Sequence, residues 1–307
     1  MGLSLHLGAY ATDEGRIANW LAANADALAR RGVAAPPARQ FLQGISQALA
    51  TRPEGPASPV QEQALLQALG LSGERRHLAL SAPGLLGPAA EVIGPAGFYV
   101  KDVARRVYGL RLLFPRTKLH FMLAIRRPGS FLPALMARPG MPGPEALLPY
   151  LIDDELPWSA LVLTLRRQAP AAAVTVWRHE DLPRLWPQVL VALTEGAAEG
   201  SAEAAGDAPP LTGELLPIAA AHLSAEARLR AERYLAVNPP GDLERLRRIC
   251  DAFALRFGRN PRLQAGEPGE NAAALPGWAS EQIARLDARY DTEWDDIANI
   301  AGVRALV

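Results

Sequence analysis

The chain has 307 residues, 49% hydrophobic and 21% charged, which is enough apolar material for one large α/β domain or two modest ones and excludes wholesale disorder. Thirty-two Lys and Arg residues balance thirty-two Asp and Glu residues, so no global field favours nucleic acid or an anionic membrane, and neither is an expected partner. The single cysteine, Cys250, excludes an intramolecular disulfide framework and a cysteine-based zinc site.

Leu3 to Gly8 (LSLHLG) reads as a short strand ending in glycine, and Met1 to Gly8 lacks the basic start and long apolar stretch of a secretory signal. No apolar run approaches the roughly 20 residues of a membrane span, so the expected location is the cytoplasm. A helix is predicted from about Glu14 to Arg31, with Ile17, Trp20, Leu21, Ala25 and Leu28 at helical spacing and Gly32 at its C-cap. Arg52 to Pro59 reads as loop and Gln61 to Leu69 as a short helix. His77 to Ser81 (HLALS) is a second strand, followed by a breaker-rich loop from Ala82 to Gly97. Lys101 to Phe114 is a predicted helix, stopped by Pro115. Leu119 to Ile125 (LHFMLAI) has the length and apolar character of a buried central strand.

Ser130 to Met136 begins another helical stretch, and Glu145 to Gln168 is helical with interruptions at Pro149 and Pro157. Ala173 to Trp177 (AVTVW) is a fourth strand, and Leu182 to Leu193 a following helix. This alternation predicts an α/β fold, a central parallel sheet flanked by helices. Residues 196–213 have linker composition, and three helical stretches follow, around Ser224 to Leu235, Asp242 to Phe257 and Ser280 to Ile300. The expected organisation is an α/β core over 1–195, a flexible linker or surface loop over 196–213, and a helical C-terminal region over 214–307 packing on the core.

In open α/β sheets ligands bind outside the carboxyl ends of strands. Two turns stand there. The first runs from His6 to Arg16 (HLGAYATDEGR) and offers backbone N–H groups to an anion, although Asp13 and Glu14 repel a phosphate and the Walker spacing is absent. The second is Arg126-Arg127-Pro128-Gly129-Ser130, whose arginines suit an oxyanion. Between Lys101 and Arg127 eight Lys or Arg residues accompany a single carboxylate, Asp102. His6 reads as a core histidine or a base. His179-Glu180-Asp181 reads as a solvated strand end with a helix cap, or as general-base machinery. The acidic run Asp291, Glu293, Asp295 and Asp296 reads as a solvated helix face, and no metal site is expected.

The two turns, in their order and separation, resemble the bacterial sulfotransferase-like branch of the P-loop fold. Members of that family open with a strand and the run His-x-Gly-x-x-Lys-Thr-Gly-Thr-Thr or -Ser; here His6, Gly8 and Thr12 match. The helix WLAANADALARRGV (Trp20 to Val33), the segment RLLFPRTKLHFMLAIRRPGSFL (Arg111 to Leu132), VTVWRHEDL (Val174 to Leu182) and YDTEWDDIANIAGV (Tyr290 to Val303) extend the likeness. The resemblance implies a P-loop NTPase-like, sulfotransferase-type fold and the sulfuryl donor PAPS, spent as PAP. It implies a donor cradle at Gly8, Ala9, Tyr10, Ala11 and Thr12 and a nucleotide phosphate held by Arg126. The family's lysine position holds Ala11, the next three hold Asp13, Glu14 and Gly15, and its serine eight residues after the arginine is Ala134. Arg16 is the candidate to replace the lysine, and His6 the candidate base.

Three functions follow. One is sulfuryl transfer from PAPS to a hydroxyl or amine of a glycan or small molecule. Another is a non-catalytic descendant that keeps the scaffold for binding. A kinase-like protein is the third, against which the missing Walker lysine and Ser/Thr count.

Overall fold

The computed structural model describes residues 1–50, 55–71, 76–94, 97–99, 101–141, 143, 147, 150, 156–195, 219–220, 223–240, 243–258 and 280–307. The expected linker, 196–213, lies outside the described residues, as does most of the stretch expected to be helical from Glu145 to Pro157.

The strands are β1 (Gly2–His6), β2 (Val33–Ala34), β3 (His77–Ser81), β4 (Ile93–Gly94), β5 (Gly97–Phe98), β6 (Lys118–Ile125), β7 (Ala173–Arg178) and β8 (Val303–Ala305). Six of them form one sheet in the order β2-β3-β1-β6-β7-β8, with parallel pairing throughout, while β4 and β5 make a small antiparallel hairpin. The helices are α1 (Arg16–Ala23), α2 (Ala25–Arg30), α3 (Ala38–Ala50), α4 (Pro59–Ala68), α5 (Val103–Leu113), α6 (Pro128–Met136), α7 (Trp158–Gln168), α8 (Leu182–Glu195), α9 (Ala225–Val237), α10 (Leu243–Phe257) and α11 (Ser280–Ala298).

Strand alternation divides the core between the two sheet faces. Leu3, Leu5, Leu80, Phe121, Leu123 and Val176 pack under α3, α5, α6, α7 and α11. Ala79, Met122, Ala124 and Trp177 pack under α1, α2, α8, α9 and α10, where Cys250 is also buried. His120 interrupts this second face. It shares hydrogen bonds with Ser4 Oγ at 3.1 Å and Thr175 Oγ1 at 2.8 Å, so three central strands satisfy one buried imidazole among themselves.

Several expectations are corrected. The helix expected from Glu14 to Arg31 is two helices, broken at Asn24, whose side-chain amide donates to the Trp20 carbonyl at 2.8 Å and competes with the helical ladder. Gly32 does close it, at φ +77°. The region after residue 214 is more than helical: β8 forms an edge of the main sheet, and α11 packs on α6 and α7.

The chain passes from β1 leftward to β2, returns to β3, and then crosses to β6 on the other side of β1. Connections therefore leave the carboxyl ends of the neighbours β1 and β6 in opposite directions, which opens a crevice there. The first turn lies beyond β1 and the second beyond β6.

Candidate functional site

Tight coiling of the first turn sets its shape. Gly8, Ala11, Glu14 and Gly15 have φ of +52°, +60°, +53° and +81°. At Gly8 a Cβ would stand 3.1 Å from Pro83 and 3.4 Å from His6, so this position needs glycine on both counts. Ala11 and Glu14 hold left-handed backbone without that freedom, at a cost of order 1 kcal/mol each.

Asp13 organises the start of α1. Its carboxylate accepts from the Gly15 N–H at 3.2 Å and the Ile17 N–H at 3.1 Å. The protein's own anion thus occupies the helix N-terminus where the family resemblance places a phosphosulfate. The Tyr10 N–H is also taken, by the Tyr99 hydroxyl at 2.9 Å, and the Thr12 hydroxyl donates back to the Ala9 carbonyl. Arg16 pairs with Glu14 at 3.0 Å.

His6 is fully buried beneath this turn. It shares a hydrogen bond with Ser81 Oγ at 2.9 Å, lies 4.0 Å from Asp13 and stacks on Trp177 with ring centroids 5.6 Å apart. Burial pulls its pKa down and the Asp13 carboxylate opposes that. Its environment is that of a structural histidine packed below the loop.

Arg126 joins the two turns. Its Nη1 donates to the Ala11 carbonyl, its Nε donates to Ser130 Oγ at 3.0 Å, and no carboxylate lies within ion-pair distance of it among the described residues. Burial lowers its pKa, with Glu180, Glu14 and Tyr290 acting in the opposite sense. The structure therefore brings His6, Gly8, Ala9, Tyr10, Ala11, Thr12, Arg16 and Arg126 to one end of the sheet, across the β1–β6 crevice.

His179-Glu180-Asp181 lies between β7 and α8 with Glu180 exposed, as expected of a solvated strand end, and it also acts as a clamp. The His179 Nδ1–H donates to the Thr12 carbonyl, which ties the first turn to β7. Burial, reinforced by Arg126, pushes the His179 pKa down to about 4, so the ring is neutral at pH 7. Glu180 accepts from the Arg127 N–H and the Tyr290 hydroxyl, each at 2.9 Å. Asp181 pairs with Arg178 at 2.8 Å. Sequence reading missed this role because the partners lie in the two turns and on α11.

The acidic run of α11 is likewise only half solvated. Asp291 grips Arg127 through two bonds, at 2.9 and 2.7 Å, and Glu293 accepts from the Ser159 N–H at 2.7 Å near the start of α7. Asp295 and Asp296 remain exposed as expected. Asp287, absent from the expected run, is buried and accepts from the Gly129 N–H at 2.7 Å in the first turn of α6. A Cβ on Gly129 would stand 2.5 Å from Asp287 Oδ2 and 3.1 Å from Ile283. Gly129→Ala is accordingly expected to push α11 outward and destabilise the protein by about 1–3 kcal/mol, despite alanine's better helix propensity. Equal denaturant midpoints for variant and parent would contradict that docking.

A groove of about 500 Å³ lies beside this helix, lined by Pro128, Leu156, Ser159, Leu286, Tyr290 and Glu293, and it includes no residue of the first turn. Among the described residues no group of three His, Cys, Asp or Glu side chains is placed to hold a metal, and no helix is long and apolar enough to cross a membrane.

The described residues do not fit PAPS as a sulfuryl donor. The lysine position is Ala11, and the Asp13 carboxylate, directly after the cradle residues, takes the N–H groups of Gly15 and Ile17 at the start of α1. The class defined by this geometry is an α/β protein with a six-stranded parallel sheet and a crevice beyond its central strands. Comparison with protein-family models, curated proteins and solved structures finds no match.

Proposed function

We propose that the chain is a non-catalytic binding protein on a P-loop-type, sulfotransferase-like scaffold, its donor position filled by its own carboxylate. The single observation that carries this is the Asp13 carboxylate bonded to the N–H groups of Gly15 and Ile17. The strand order and the position of both turns at the β1–β6 crevice support the scaffold. Loss of one preorganised donor at developing charge costs about 2.7–4 kcal/mol, or roughly a hundred- to thousandfold in rate. Here a lysine is missing and two carboxylates stand in the same loop, so both effects act against a bound phosphosulfate.

A second reading, residual sulfuryl transfer to a hydroxyl or amine acceptor, is favoured by Arg126. This half-buried cation has no carboxylate partner among the described residues and is fixed across both turns. Isothermal titration with PAP and transfer assays with labelled PAPS separate the two. The expected results are no heat at millimolar PAP and no transfer. The triple variant Ala11→Lys, Asp13→Gly, Glu14→Thr is expected to gain PAP binding while losing about 1–2 kcal/mol of stability with the α1 cap. Labelled sulfate on any acceptor, lost in Arg126→Ala, would overturn the proposal in favour of the second reading.

A further inference from the structure

Of the eight cations between Lys101 and Arg127, most are accounted for. Lys101 pairs with Glu91, Arg105 with Asp102, Arg116 with Glu62 and Arg127 with Asp291, Arg111 stacks on Tyr108, and Lys118 is exposed. Two half-buried arginines remain without an ion pair among the described residues, although Asp102 lies within electrostatic reach of Arg106, and Glu180 and Glu14 within reach of Arg126. Arg126 lies on the β6 side of the first turn, and Arg106, on α5, lies on the other side, toward the loop after β3.

Among the described residues the Arg106 guanidinium has one long contact, from Nη1 to the Leu85 carbonyl at 3.4 Å, and its Nε is buried with no hydrogen-bond partner. Arg138, just beyond α6, places its guanidinium carbon 5.0 Å over the Tyr10 ring and has no ion pair among the described residues. Tyr10 is fixed by its hydroxyl, which donates to the Gly87 carbonyl at 3.1 Å. Arg106 Nη1 and the Tyr10 hydroxyl reach carbonyls two residues apart in the same loop, those of Leu85 and Gly87, and both arginines oppose the rise that burial imposes on the Tyr10 pKa, Arg138 the more strongly. Behind it Tyr99 is buried at φ +55°, a strained backbone for a bulky residue, and its hydroxyl receives the Tyr10 N–H.

We infer that Arg106, Arg138 and Tyr10 form an oxyanion-binding subsite on the β3 side of the first turn, for a small ligand bearing a carboxylate or phosphate group. Two like charges around one phenol repel, and a partly desolvated guanidinium without a counter-ion is costly; a bound oxyanion relieves both and meets the guanidinium fork with parallel bonds. The Tyr10 ring supplies an apolar wall for the body of the ligand. The inference shares Tyr10 with the donor cradle of the sulfotransferase reading but uses its side chain, together with Arg106 and Arg138, and not Asp13 or Arg126.

The test is titration of the full chain with inorganic phosphate and, separately, with benzoate, followed by amide and arginine side-chain NMR. Saturable shifts at Arg106, Arg138 and Tyr10 are expected with at least one probe, and the tighter probe identifies the ligand's charged group. Arg138→Gln, at an exposed position, should fold normally and weaken that binding about tenfold, the worth of one charge-assisted hydrogen bond. Arg106→Gln should weaken it at least as much. Unchanged affinity in Arg138→Gln, shifts confined to Arg126 and Ala11, or no saturable shift with either probe would overturn the inference. Shifts confined to Arg126 and Ala11 would also favour the second reading of function, whereas the other outcomes leave it untouched, so the inference and the proposed function can fail separately.

Discussion

Lowering the pH from 7 toward 4 is expected to destabilise the protein steeply, well before its carboxylates titrate in bulk. Burial holds four described histidines, His6, His77, His120 and His179, below the ordinary value, with His120 and His179 brought down to about 4. Their folded pKa lies under the unfolded value of 6.5, so between those limits the unfolded chain binds the extra protons and stability falls as pH falls. For His120, buried between Ser4 and Thr175 and repelled by His77 and Arg304, the slope approaches about 1.4 kcal/mol per pH unit. His179 is partly exposed and adds somewhat less. Asp287 acts in the opposite sense, because burial raises its pKa and its proton favours the folded state. Four histidines against one carboxyl leave a net loss. Urea midpoints measured from pH 7 to pH 4 should fall monotonically, and a flat profile would mean that these rings titrate in the folded state at ordinary pH.

The parallel sheet was legible because its central strands carry short apolar runs with breakers at their ends. His77–Ser81 is found at the predicted limits, and β6 is wider than expected by one residue, Lys118. The short strands Val33–Ala34 and Val303–Ala305 were not legible. A segment of two or three residues has no measurable periodicity, and only its neighbours in space make it a strand. The same reason hides β4 and β5 inside a loop full of Gly and Pro.

At the site, the family resemblance implied that the two turns share a pocket, and the strand order places both at the β1–β6 crevice, but the state of the turns was not legible. Asp13 reads in sequence as a charge hostile to phosphate; the structure adds that it replaces the anion on α1. Asp287 does a comparable thing on α6 from a position 158 residues away, and Glu293 does it on α7 from 134 residues away. Such long-range caps leave no local signature, since the capping box and its relatives are recognised by fixed short spacing. The clamp through His179 and Glu180 is equally non-local. Its one sequence signal is three consecutive polar residues directly after a strand that neighbours β6.

The site's rigidity depends on a tryptophan that sequence reading did not single out. Trp158 is fully buried, stacked on Phe98 with centroids 3.9 Å apart, edge-on to Phe131 at 5.2 Å, and its Nε1–H donates to the Arg126 carbonyl at 3.0 Å. Trp158→Ala removes this cluster and its bond together, and is expected to cost about 3–5 kcal/mol. The informative comparison is Trp158→Phe with Trp177→Phe. Both tryptophans are fully buried and both stack on an aromatic ring, but the Trp177 Nε1–H has no partner among the described residues whereas that of Trp158 satisfies the Arg126 carbonyl. Phenylalanine at 158 leaves that carbonyl unsatisfied, which adds about 1–3 kcal/mol to the packing loss; at 177 it removes a buried donor that had nothing to bind. Trp158→Phe should therefore lower the urea midpoint more than Trp177→Phe, and should broaden the Arg126 side-chain NMR signals, which the other variant leaves sharp. A larger loss at 177, or an unchanged Arg126 spectrum in Trp158→Phe, would show that the second turn is held by the Asp291–Arg127 pair and not by the indole beneath it.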